Sequence, residues 1–314
     1  MLPGRVLLLR NPRARRAPSE AMLHAASDPL VARGWHVDVT STTGPGEATR
    51  IASTAAASGY HAVVAVGGDG TVHEAVQGLA GTATALGVVP AGTANVWAHE
   101  AGAPGGARRA LAFVARARTA RIDVGRVTFE DGTSRRFLLM CSVGLDAEVV
   151  RRVGGGGALK RLLGGVVYGA AGLVALVRAT PTRTTIEVDG QRAERDLYLA
   201  VIGNTRLYGG LARITGAALA DDGALDVCSF SGHGLRDRMA LVAGALRGGL
   251  GRRPGGGIDY TRGVEVRIEP ERPLPVQADG EYLGETPVTI TVEPRALTVL
   301  LAPEPNPLLS GEVE

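Results

Sequence analysis

"AVVAVGGDGTVHEAV" (residues 62–76) passes from an unbroken apolar run, through a glycine-rich turn, into a helical pattern. Apolar residues in unbroken succession suit a strand buried on both faces, which is how strands of a parallel sheet read. Glycines at 67, 68 and 70 let the backbone approach a ligand closely. A helix that starts there presents unpaired N–H groups and the positive end of its dipole, which together make a phosphate site. Asp69 is the anomaly. A bare carboxylate beside phosphates is repelled, so a functional Asp69 requires Mg²⁺ or a hydrogen-bonding task between them. Helix capping is the competing explanation for Asp69 and Thr71, because Thr71 with Glu74 three residues on fits a capping box.

Working outward, "RVLLLR" (5–10), "WHVDVT" (35–40), "HAVVAV" (61–66) and "ALGVVP" (85–90) read as strands, with helices near 46–58 and 71–80. Strands alternating with helices predict a doubly wound parallel sheet covered on both faces. The texture changes after about residue 122. "DVGRVTFEDGTSRRFLLMCSV" (123–143) reads as two strands around an Asp131-Gly132 turn, and further strands are expected at 183–190, 195–202, 225–230, 263–269, 286–292 and 296–302. Helices are expected near 158–179 and 235–248. The fold class is therefore α/β plus β: an α/β domain over 1–121 and an antiparallel, sandwich-like β-rich domain over 122–302. The tail, 303–314, is expected to pack back on the first domain.

The chain has 314 residues, enough for two cores, and its net charge of +3 suits phosphate ligands or an anionic membrane surface. No basic run is dense enough to imply nucleic acid. Lys160 is the only lysine, so nearly every cationic task falls to arginine. Cys141 and Cys228 lie in apolar strand-like runs without metal-type spacing and read as buried thiols in a reducing compartment. The N-terminus reads as a first strand rather than a signal peptide. "LLGGVVYGAAGLVALV" (162–177), bracketed by Lys160, Arg161 and Arg178, is shorter than a spanning helix. It reads as a sheet-covering helix or a membrane-contacting one.

Ligands of an open parallel sheet collect where strands end and helices begin. Four such ends carry polar or glycine-rich residues: Asn11, Thr40, the 67–71 loop and "PAGTAN" (90–95). The last two belong to consecutive strand–loop–helix units, so both open on one edge of the sheet. Walker A is excluded because no Lys-Ser/Thr pair follows the glycines, and G-x-G-x-x-G is not met at 67–72. His73, His99 and Trp97 read as surface or packing residues.

"GGDGTVHEAVQGL" followed by "PAGTAN" resembles the diacylglycerol kinase catalytic domain, and more narrowly the soluble bacterial lipid kinases related to sphingosine kinases. "FLLMCSVGLDAEVV" (137–150), "VIGNTRLYGG" (201–210), "ALADDGALDVCSF" (218–230) and "VQADGEYLG" (276–284) continue the resemblance in the family's order, over nearly the whole chain. The resemblance implies ATP between the two domains, with Asn11 and Thr40 near the nucleotide. Gly67, Gly68, Asp69, Gly70 and Thr71 would lie along the phosphates, with Gly92 and Thr93 from the second loop. It implies Mg²⁺ at "LADDGA", on the Asp222 carboxylate and the carbonyls of Leu219 and Ala224; a plain Asp-Gly turn is the alternative there. It makes Asp279 the general base, supported by Glu281, although "DGE" taken alone is a hairpin turn. Many bacterial members carry an acidic residue after the asparagine of the second loop, where this chain has Val96.

The implied activity is transfer of the ATP γ-phosphoryl group to a lipid hydroxyl, most simply of diacylglycerol or a related lipid. The implied setting is cytoplasmic and peripheral at the inner face of the membrane, with transient surface contact. A homodimer is compatible with the sequence, which is silent on oligomeric state. Two rivals remain at this point: a kinase of a soluble acceptor such as NAD, and a nucleotide-binding regulator without catalysis.

Overall fold

The computed structural model describes residues 4–154, 180–207, 213–232 and 257–311; the helices expected near 158–179 and 235–248 lie outside them. The chain divides into two compact units, Met1–Val124 with Pro294–Glu314, and Gly125–Glu293.

The first unit contains β1 (Arg5–Arg10), α1 (Glu20–Ala26), α2 (Asp28–Val31), β2 (His36–Ser41), α3 (Glu47–Ala57), β3 (Ala62–Gly67), α4 (Asp69–Leu79), β4 (Ala85–Pro90), α5 (Val96–Glu100), α6 (Ala107–Val114) and the start of β5 (Arg118–Phe129). The strands pair in parallel in the order β2-β1-β3-β4. All six residues of β3 are buried, as an unbroken apolar run at the centre of a parallel sheet requires. In α3, Ala48, Ile51, Ala52 and Ala55 recur at helical spacing and are buried. Gly78 lets α4 close on that helix, because a Cβ there would meet the carbonyl oxygen of Thr49. Leu8, Leu23, Leu30, Val64, Val89, Leu111 and Leu300 belong to one core.

The second unit holds the rest of β5, then β6 (Ser134–Phe137), β7 (Met140–Gly144), α7 (Leu145–Gly154), β8 (Thr182–Val188), β9 (Gln191–Gly203), β10 (Leu225–Ser231), β11 (Ile258–Gly263), β12 (Glu265–Pro270), β13 (Pro275–Ala278), β14 (Glu281–Glu285) and the start of β15 (Val288–Leu301). Its pairing is antiparallel. β8 shows the period-two burial of a strand with one solvated face. β9 pairs with β8 along its first half and with β7 and β10 along its second, so one long strand joins two sets of partners. Val143, Ile186, Leu197, Val227, Val266, Val276 and Ile290 share one core.

The expected strand 183–190 stops at Val188 and 263–269 divides between β11 and β12; three further differences have a visible cause. Residues 123–143 form three strands, because the N–H groups of Leu138, Leu139 and Met140 turn to the carboxylate of Asp279 instead of extending a ladder. The segments 286–292 and 296–302 are one strand, β15, carried past Pro294 by Arg295, which adopts φ +50° and donates its N–H to the buried Asp123 at 2.7 Å. The capping box is not formed. The α4 helix begins at Asp69 with Gly68 as N-cap, and Glu74 instead accepts the N–H of Ala48 at 3.1 Å, tying α4 to the first turn of α3.

Candidate active site

Within the first unit, the strand ends singled out in the sequence lie along one edge. Asn11 follows β1; its N–H donates to Val66 at 3.0 Å and its side-chain amide donates to the Thr71 hydroxyl at 3.0 Å. Thr71 is therefore the third residue of α4, held by the neighbouring strand end, rather than a cap. A Cβ on Gly67 would collide with that hydroxyl, so Gly67 and Thr71 require one another.

The two glycine loops touch. A Cβ on Gly68 would stand 3.1 Å from the Gly92 Cα, and one on Gly92 would stand 2.5 Å from the Gly68 Cα. Asn95 holds this arrangement from the second loop. It adopts φ +48°, accepts the Gly92 N–H at 2.8 Å and donates to the Gly92 carbonyl at 3.1 Å. Asn tolerates the left-handed region better than most residues, and its amide can serve both backbone groups of one glycine. Asn95 was not singled out from sequence; its place in "PAGTAN" was the only signal.

Asp69 and Gly70 are the first two residues of α4, and Gly70 is exposed, as is Thr93 on the second loop. Thr40, near the end of β2, lines a groove of about 370 Å³ with Ser41, Glu47, Arg50 and Ile51. Val96 and Trp97 are buried in α5 and His73 in α4, whereas His99 is exposed.

In the second unit, Asp279 and Gly280 are the two central residues of the β13–β14 hairpin, with φ +48° and +85°. Both values are positive, as a two-residue type I′ turn demands. The Asp279 carboxylate accepts three backbone N–H groups, from Leu138 at 2.7 Å, Leu139 at 2.9 Å and Met140 at 3.1 Å. Glu281 opens β14 directly after the turn, half-buried. The Asp189-Gly190 turn between β8 and β9 is built similarly, with its carboxylate on the N–H groups of Val264 and Glu265. Backbone anchoring alone thus does not distinguish Asp279.

What does distinguish it is a buried network on the strand leading into the turn. Gln277 is 3% exposed; it accepts the Gly280 N–H at 2.8 Å and donates to Ser142 at 2.7 Å and to Asp146 at 2.8 Å. Ser142 donates to the same Asp146 oxygen at 2.7 Å. Burial, with the nearby charges of Asp279 and Asp146, holds the Cys141 thiol far above its ordinary range. Sequence reasoning missed Gln277, Ser142 and Asp146, because contacts between β7, α7 and β13 span more than a hundred residues.

The segment with Leu219, Asp222 and Ala224 precedes β10. Asp222 accepts the Ala224 N–H at 3.2 Å through one oxygen and contacts the Arg262 guanidinium through the other. Asp222 thus already has a counter-charge within the fold, the Arg262 guanidinium. Among the described residues no group of three or more His, Cys, Asp or Glu side chains could hold a metal ion. Nearby Asp226 is fully buried; burial raises its pKa, the Tyr260 hydroxyl and Arg262 oppose that, and the charge of Asp222 adds to it.

A parallel sheet whose strand ends carry two touching glycine loops, together with a β unit that carries Asp-Gly turns, defines an α/β-plus-β protein. The description "Diacylglycerol kinase catalytic domain" matches residues 5–127, and "YegS C-terminal NAD kinase beta sandwich-like domain" matches residues 140–301. A diacylglycerol kinase of Mycobacterium tuberculosis is 33% identical over 301 residues, covering 95% of each chain. A Pseudomonas fluorescens protein named "Probable lipid kinase YegS-like" is 33% identical over 298 residues, covering 92% of this chain and 93% of that one. A crystal structure of a diacylglycerol kinase from Bacillus anthracis str. Sterne superposes with a TM-score of 0.74 at 22% identity, covering 96% of this chain and 98% of that one, and shares the fold. The chain belongs to the diacylglycerol kinase family of lipid kinases.

Proposed function

We propose that this protein transfers the γ-phosphoryl group of ATP to the hydroxyl of a lipid, with diacylglycerol or a related lipid as acceptor. The observation that carries the proposal is the contact of the two glycine loops at Gly68 and Gly92, braced by Asn95, at the N-terminus of α4. A Cβ on either glycine would fill the cradle, and backbone N–H groups at a helix start suit the phosphates of a nucleotide. Thr40 and the groove beside it would take the rest of the nucleotide, with Asn11 and Thr71 fixing the edge of the loop.

Phosphoryl transfer depends on alignment and on neutralising the charge that develops on the moving group. An oxygen-donor carboxylate at the start of α4 fits a hard cation, so Asp69 would hold Mg²⁺ with the phosphates. The ion, when bound, supplies charge neutralisation on the phosphate oxygens. Asp279, held in place by the N–H groups of residues 138–140, would accept the hydroxyl proton as attack proceeds. Glu281 would support it from the next position of the hairpin. A water-insoluble acceptor further implies transient contact with an anionic bilayer, to which a net charge of +3 is suited. Liposome sedimentation tests that part, and pelleting that does not change with anionic lipid would remove it.

The test of the reaction runs two acceptors in parallel with γ-labelled ATP. Label is expected in the organic phase when diacylglycerol is supplied and absent from NADP when NAD is supplied. Label in NADP alone would replace this reading with that of a soluble-acceptor kinase.

A further inference from the structure

The family resemblance gives Asp222 a Mg²⁺ ion, but the geometry gives it a different partner. One Asp222 oxygen accepts the Ala224 N–H and the other meets the Nη2 of Arg262. The register of β10 and β11 pairs Asp226 with Arg262, so the ladder itself delivers the guanidinium to this loop. The Nε of Arg262 lies 3.5 Å from the second carboxylate, that of Asp226, whose other oxygen accepts the Tyr260 hydroxyl at 2.7 Å. One guanidinium therefore ion-pairs with two carboxylates, hydrogen-bonded to Asp222 and 3.5 Å from a buried Asp226 oxygen that makes no hydrogen bond, with the Asp226 side chain 0% and the Asp222 side chain 14% exposed. Its planar fork of donors is suited to that task in a way a point charge is not. A Mg²⁺ ion demands near-octahedral oxygen ligands at roughly 2.0–2.1 Å. On Asp222 it would have to displace Arg262, whose side chain is 45% exposed, or stand against its like charge.

We infer that Arg262 is the resident cation of the 218–224 loop, taking the place of a divalent ion as counter-charge to Asp222 and Asp226. The loop then folds without metal. Removing the guanidinium leaves two facing carboxylates, an oxygen donor set for a hard cation, so the substitution should create a metal dependence that the wild type lacks. Nothing in this inference depends on the acceptor or on Asp279.

Thermal unfolding of the nucleotide-free, full-length protein tests it, in EDTA and again with millimolar Mg²⁺. Wild type is expected to melt at the same temperature in both. Arg262→Gln is expected to melt lower in EDTA by roughly 5 °C, since it strands two poorly solvated carboxylates, and to regain part of the loss with Mg²⁺. Arg262→Lys, which keeps the charge, should remain indifferent to Mg²⁺. A wild-type melting temperature that rises with Mg²⁺, with the rise abolished by Asp222→Asn, would overturn the inference. So would an Arg262→Gln protein as stable in EDTA as wild type. Should Arg262→Gln fail to fold, wild type and Asp222→Asn decide the question alone.

Discussion

Asn95 shows how much a single side chain can carry. Its left-handed backbone and its two bonds to Gly92 shape the second glycine loop, which in turn meets Gly68. With the two bonds worth about 1 kcal/mol each, Asn95→Ala is expected to raise the KM for ATP by up to roughly thirtyfold, read from steady-state kinetics. Gly92→Ala should be worse, because the added methyl meets backbone rather than a movable side chain. At this scale the sequence was partly legible. Glycines at a strand end announce a close approach, and the hairpin at Asp279-Gly280 follows from its Asp-Gly pair. That Asp279 grips residues 138–140 was not legible, because nothing in either segment names the other. The same limit hid Arg262, which reaches Asp222 from 40 residues away.

Among the elements, α3 and α4 illustrate why local motifs mislead. Thr71 and Glu74 have capping-box spacing, yet Asn11 claims Thr71 and α3 claims Glu74, so tertiary contacts override the local motif. The start of α3 also yields a pH prediction. The N–H of Thr43, then its hydroxyl, then Arg50 hold the Glu47 carboxyl down to about 2 from an ordinary 4.5. A depressed pKa contributes stability that is complete above the unfolded value and lost as pH falls toward the folded one. Wild type should therefore be more stable than Glu47→Gln at neutral pH, with the gap closing as pH falls from 4.5 to about 2, as chemical denaturation would reveal. In β13, Gln277→Leu would leave Ser142, Asp146 and the Gly280 N–H short of partners. A cost of about 2–3 kcal/mol is expected by the same measurement.

At the scale of the molecule, the two textures of the sequence correspond to the two families matched, with parallel pairing in the first unit and antiparallel pairing in the second. That division was legible because strands alternate with helices in the first unit and mostly follow one another in the second. The cysteines were legible too. Cys141 and Cys228 are buried, and burial first, with the charge of Asp259, pushes the Cys228 thiol up to about 12. Neither thiol should react with a water-soluble disulfide reagent until the protein unfolds, and prompt reaction of the native protein would contradict their burial. Among the described residues no helix is long and apolar enough to cross a membrane. The stretch bracketed by Lys160 and Arg178, which the sequence offered for bilayer contact, lies outside them.

The central claim is that this chain phosphorylates a lipid and that Asp279 takes the proton from its hydroxyl. The most direct measurement incubates a total lipid extract with γ-labelled ATP and either wild type or Asp279→Asn, and follows label into the organic phase while nucleotide binding is monitored separately. Wild type should label a lipid, and Asp279→Asn should lose roughly a hundredfold to ten-thousandfold of that rate with nucleotide binding intact. Nucleotide binding by wild type without label in any lipid, or an Asp279→Asn protein as active as wild type, would contradict the account.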